Sequence, residues 1–220
     1  MRKNINIDWP EYTFPHSALY STPNDLATFM TALVSGKFVS QKTLKQMWKP
    51  MKLSDGRNGR YAFGFEYDFE DGYNLFGHDG GNHVKLRHYV NPKNSLDSYT
   101  LVYATNGNAH DVWTDVLADS VMAIVAPKKF RMAVLKEQFL EAVLENDNRK
   151  LEQVYQAVSN TFDGDDVQIE RFFLYRAYAL RYGSGPESSI PAFKFLITKH
   201  PHSEDARQGL VDTESVIGKK

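Results

Sequence analysis

The stretch that constrains this chain most is Phe76-Gly77-His78-Asp79-Gly80-Gly81-Asn82-His83, followed directly by Val84-Lys85-Leu86-Arg87-His88-Tyr89-Val90. Its second part alternates, with Val84, Leu86, His88 and Val90 on one side and Lys85, Arg87 and Tyr89 on the other. Such a period of two is the mark of a strand with two unlike faces. Glycine weakens a strand, so the cluster before it marks either a bulged turn or a close approach by a ligand or another backbone. A functional site, if the chain carries one, is expected here.

The segments on either side supply the rest of a sheet. Tyr61–Tyr67 and Tyr73–Phe76 read as strands joined through Glu70-Asp71-Gly72, and Ser98–Ala104 as another strand after the turn Asn91-Pro92-Lys93-Asn94. Strands joined by tight turns make an antiparallel meander. Helices flank it. Thr22 is a cap followed by Pro23 at the first helical position, with Asp25 placed to answer the cap. Leu26, Phe29, Met30, Leu33 and Val34 then form one apolar face before Gly36. Ser40 opens a second helix that Pro50 stops, and Asp111 to Val125 reads as a third.

Beyond Ala126-Pro127-Lys128-Lys129 the period is helical throughout. Apolar faces centre on Leu135 and Phe139, on Leu151 and Val154, on Phe172 and Phe173, and on Phe193 and Ile197, giving four helices before Pro201. The expected architecture is therefore α+β: residues 1–127 an antiparallel meander flanked by helices, residues 128–220 a small all-α unit of helical hairpins. The aromatic row Phe172-Phe173-Leu174-Tyr175 suits hairpin packing, with a peptide groove as the other reading.

Charge excludes one class of partner. Lys plus Arg total 26 against 27 for Asp plus Glu, in balance on both sides of Pro127, so neither half offers the basic face that nucleic-acid binding needs. With no cysteine there is no thiolate nucleophile, disulfide or Cys-type zinc site. His78, His83 and His88 follow one another at a spacing of five, which puts neighbours on opposite faces of an extended strand and argues against a metal; no cofactor is expected. No apolar run is long enough for a membrane span, and the N-terminal residues lack the apolar core of a signal peptide.

Three pieces, in order, resemble one family. Ser17-Ala18-Leu19-Tyr20-Ser21-Thr22-Pro23-Asn24-Asp25-Leu26 resembles the helix start of the serine β-lactamase-like hydrolases, which include class C β-lactamases, DD-peptidases and related esterases. Tyr61 to Phe65 resembles their tyrosine- and glycine-rich strand, and Phe76 to Gly81 their third active-site motif, Lys-Thr-Gly or His-x-Gly. The resemblance implies an acyl-serine hydrolysis of a peptide, β-lactam or ester substrate, in an extracytoplasmic setting. Within it His78 takes the catalytic cation or imidazole position. Asp79, Gly80 and Gly81 form the substrate-binding strand, with Gly81 where a backbone N–H would complete an oxyanion hole. The family's Ser-x-x-Lys is missing, because no Ser or Thr has Lys three residues on. Its Tyr-x-Asn appears only as Tyr89-Val90-Asn91, after the third motif instead of before it. The resemblance thus covers the C-terminal part of the family domain, a fragment expected to be silent alone. The alternative is a non-catalytic module that binds a peptide or protein. Residues after about 130 resemble a tetratricopeptide-type hairpin, with Phe173, Ala177, Phe193 and Pro201 near that pattern's positions, a surface for a protein partner. The strand 98–104 has no proline or lysine to blunt it and is expected to pair a homodimer.

Overall fold

The structure, a computed structural model, describes Tyr12 and residues 19–80, 84–105 and 114–218. The elements run α1 (Pro23–Val34), α2 (Gln41–Met47), β1 (Glu66–Glu70), β2 (Tyr73–Gly80), β3 (Val84–Asn91) and β4 (Asn94–Ala104). They continue with α3 (Thr114–Val125), α4 (Arg131–Leu144), α5 (Asn148–Thr161), α6 (Asp166–Gly183), α7 (Pro186–Lys199) and α8 (Glu204–Ile217). The fold is α+β, and its sheet is an antiparallel meander of order β1-β2-β3-β4.

Local signals explain the helix starts. Thr22 Oγ1 accepts the Asp25 amide at 3.1 Å, and Ser40 Oγ accepts that of Thr43 at 3.1 Å, satisfying donors that a helix start leaves unpaired. Asp25 answers the cap through its carboxylate, which takes the Thr22 hydroxyl at 2.9 Å instead of the cap amide. The apolar face of α1 is narrower than its spacing suggests. Met30 and Leu33 are buried, while Phe29 stays 43% exposed and stacks on Phe38.

The sheet separates two cores, because alternate residues of each strand face opposite ways. Phe76, Leu86 and Val90 pack with Phe65 against Met30, Leu33 and Leu44 of α1 and α2. Tyr73, Leu75, Tyr89, Tyr99 and Leu101 pack on the other side against Met122, Phe130 and Ala133. The first strand is shorter than the residues 61–67 expected. Gly64 has φ +73°, which breaks the extended run, so Tyr61 is joined to β1 by an isolated bridge to Glu66 and not by a continuous strand. The expected start at Asp111 lies outside the described residues, and α3 is described from Thr114.

The region after Pro127 holds five helices among the described residues, one more than expected. The fifth, α8, begins beyond Pro201 with Ser203 capping the Ala206 amide at 3.1 Å. It packs against α7 so closely that a Cβ on Gly209 would sit 2.5 Å from the ring of the buried Phe193. These helices share one core with Leu135, Phe139, Phe173 and Leu196 at its centre.

Charged residues tie these helices to the sheet. Asp71, at φ +51°, takes the Met132 amide at 2.9 and 3.1 Å and so caps the start of α4. Lys136 of α4 reaches Glu70 at 2.5 Å and Asp119 of α3 at 3.2 Å, and Arg176 of α6 reaches Asp119 at 2.7 Å. Burial raises the Glu70 pKa against the pull of Lys136. Burial alone would lower the Lys136 pKa, but Asp119 and Glu70 outweigh it and leave it raised.

Candidate active site

Strand β2 carries the glycine-rich motif inside a regular ladder, paired with β3 from Asn74↔Val90 to Gly80↔Val84 without a register shift. The glycines do different things. A Cβ on Gly77 would stand 1.9 Å from the Leu86 carbonyl oxygen, so this glycine exists to let β3 approach. The close approach foreseen in the sequence is thus backbone on backbone. A Cβ on Gly80 would meet nothing nearer than the Val84 Cβ at 3.7 Å, so packing does not demand glycine there and the strand is simply left bare. Gly81, Asn82 and His83 lie outside the described residues, and with them the oxyanion position expected of Gly81.

His78 is exposed near the end of β2, with the Tyr61 ring centroid 6.3 Å from its own. Its Nδ1 lies 2.8 Å from the carbonyl oxygen of Asp79. A carbonyl only accepts, so in the neutral ring Nδ1 carries the proton and Nε2 is an acceptor without a hydrogen-bond partner among the described residues. An exposed imidazole held in that tautomer can take a proton from a neighbouring hydroxyl or hand one on.

Asp79 shares the motif but not the face. Its carboxylate turns to the other side of the sheet, 2.9 Å from Lys85 Nζ and 3.4 Å from Arg87 Nη2. Arg87 also reaches Glu66 of β1 at 3.0 Å, so Lys85 and Arg87, both buried, are held against two carboxylates. Burial without those partners would be severely destabilising. What Asp79 leaves on the His78 side is backbone. The sequence placed Lys85 and Arg87 on one face with Tyr89 but carried no sign of Glu66, which only the β1–β2 pairing, with Glu66 opposite Gly77, brings within reach.

The hairpin returns His88 to the same face as His78, since Phe76 pairs with His88 and His78 with Leu86. The two differ in surroundings. His88 is buried, 2.9 Å from Thr100 Oγ1 and beside Trp48, and burial pulls its pKa down to about 4. It is a neutral core histidine. Among the described residues no three His, Asp or Glu side chains come together as metal ligands, and no helix is long and apolar enough to cross a membrane.

The chain thus has a four-stranded antiparallel sheet between helix layers, with a His-x-Gly run on β2. The sequence model of the Beta-lactamase family matches residues 2–121, more than half of the chain, and the chain belongs to that family. That relationship makes it a member of a hydrolase family. No curated protein and no solved structure matches it.

Proposed function

We propose that this chain supplies the third-motif wall for amide or ester hydrolysis through an acyl-serine, and that these 220 residues form no acyl-enzyme by themselves. The observation that carries the reading is His78, exposed on β2 with its Nδ1 proton directed to the Asp79 carbonyl and Nε2 without a hydrogen-bond partner among the described residues. Gly80 provides the bare strand end along which a substrate backbone would lie, with Asp79 contributing main chain just before it. The nucleophile is the missing part. Without a serine next to a base there is no attack for an oxyanion hole to stabilise.

The test is incubation with a fluorescent penicillin and with an activated ester, followed by intact mass. No adduct is expected, and a stoichiometric one on any serine overturns the proposal. When a segment carrying Ser-x-x-Lys is supplied on a second chain, acylation is expected to appear. His78→Ala should then slow it by about 10²-fold. Equal rates for parent and variant would detach His78 from the chemistry.

A second reading, a module that binds a peptide, is favoured by a separate feature. A wide, mixed-charge groove lies between the sheet and the helices after Pro127, on the face away from His78. The two halves, 1–127 and 128–220, would act here as two domains sharing one surface, the second of them a tetratricopeptide-like hairpin unit.

A further inference from the structure

The two edges of the sheet are unlike. Along β1 the outward donors are taken, the Tyr67 amide by the Arg60 carbonyl at 2.7 Å and the Phe69 amide by the Asp68 carboxylate at 2.8 Å. Strand β4 has no such cover. It pairs with β3 without a register shift from Ser98 to Ala104, and no strand lies on its outer side among the described residues. It holds no lysine or proline, and its one charged residue, Asp97, is drawn to the Tyr73 hydroxyl at 2.7 Å and to Asn91 Nδ2 at 3.2 Å. A regular edge left in that state is a template for another strand.

The faces of this edge say what kind of strand fits. Tyr99, Leu101 and Tyr103 form one row, all three half-buried, while Ser98, the exposed Thr100 and Val102 form the other. The sequence contains a run of matching character in Asn4-Ile5-Asn6-Ile7-Asp8-Trp9, which alternates strictly between polar and apolar residues. With Ile7 beside Leu101, Ile5 and Trp9 fall beside Tyr99 and Tyr103 whichever way the strand runs. The asparagines and Asp8 then lie along the Thr100 row. Pro10 stops the run, because it has no N–H to give to a ladder.

The connection from this run to α1 decides which sheet it reaches. On that connection Tyr12, Leu19 and Tyr20 are exposed at 79%, 87% and 82%, so at those points it is not laid on the body of its own chain. Pro10 and Pro15 disfavour helical backbone at Trp9 and Phe14 and stiffen the connection against turning back. An arm led away from its own sheet meets the same edge on a second copy, and a two-fold exchange uses that contact twice.

We propose that residues 4–9 add as a fifth strand to the outer edge of β4 of a second copy of this chain, each copy giving its arm to the other. The proposal is independent of both functional readings above.

The absence of cysteine lets single thiols report neighbours in the full chain without background. One preparation carries Thr100→Cys and a second carries Asp8→Cys or Asn6→Cys; the two are mixed when dilute, concentrated, oxidised and read by intact mass. A disulfide between unlike chains is expected, through Asp8→Cys for an antiparallel arm or Asn6→Cys for a parallel one. In sedimentation the parent should be a dimer. Ile5→Asp with Ile7→Asp should shift it to monomer with unchanged circular dichroism, whereas Asn4→Asp with Asn6→Asp, the same charge on the other row, should leave it dimeric. The proposal fails if the parent is monomeric or if the isoleucine variant stays as dimeric as the parent. It fails equally if Thr100→Cys links only to itself, which means β4 pairs directly with β4. A disulfide that closes within one chain of the Asp8→Cys or Asn6→Cys double variant with Thr100→Cys, and not between chains, places the arm on its own sheet and also refutes it.

Discussion

Replacing Gly77 by alanine probes the contact on which the β2–β3 pairing is built. The new Cβ would lie 1.9 Å from the Leu86 carbonyl oxygen, 2.9 Å from its carbonyl carbon and 3.0 Å from the Arg87 Cα. A carbon and a carbonyl oxygen ordinarily stay about 3.3 Å apart even in close strand contacts, so the strands must separate locally by about 1.4 Å. All three obstructing atoms are backbone, and no side chain can rotate away. The relaxed structure gives up about two ladder hydrogen bonds, each worth about 0.5–1.5 kcal/mol, in addition to the packing disturbance. A loss of about 3 kcal/mol follows. Gly80→Ala is the matched control on the same strand, where the nearest atom is the Val84 Cβ at 3.7 Å, and it should change stability by about 0.5 kcal/mol or less. Urea unfolding of the three proteins, followed by circular dichroism, measures both. If Gly77→Ala falls within about 1 kcal/mol of the parent, the close approach is not what the glycine is for.

Two further outcomes are expected. His88 has a folded pKa of about 4 against 6.5 for the free side chain, so between those values the unfolded chain holds a proton that the folded chain does not. Its contribution is complete above pH 6.5 and is lost as pH falls toward 4, by about 3 kcal/mol in all. His88→Phe should flatten this acid limb, and parallel pH–stability curves for parent and variant would refute a buried neutral imidazole. Strand β4 is the last in the sheet, and no strand pairs with its outer side among the described residues, so a dimer joined through that edge is expected. Lysine at the exposed positions Leu96 and Ala104 should shift sedimentation toward monomer without unfolding, and a parent that is monomeric at high concentration would refute this.

What could be read from the residues alone was local. Thr22 with Pro23, and Ser40, announce helix starts because a cap is satisfied within its own first turn. The alternation of Val84 to Val90 announces β3 and its two faces because side chains on a strand change sides at every residue. The His-x-Gly run is placed on a strand by the family resemblance alone, since the residues by themselves read that strand as ending at Phe76 whereas β2 runs on to Gly80. Where a local signal was overlooked, as with Ser203 at the start of α8, it was nonetheless present to be found.

Everything about the site that depends on a neighbour from elsewhere in the chain was decided by tertiary structure. Leu86 makes Gly77 obligatory, nine residues away along the chain but opposite in space. Glu66 turns Arg87 from a surface cation into half of a buried pair, and burial beside Trp48 separates the neutral His88 from the exposed His78 on the same face. Asp71 reaches Met132 across 61 positions, and the groove lined by both Arg60 and Arg171 exists only because α6 returns to the sheet. Periodicity specifies which way a side chain points; what it meets there is set by the packing of elements far apart in sequence, and it is that meeting which fixes charge state, burial and reach.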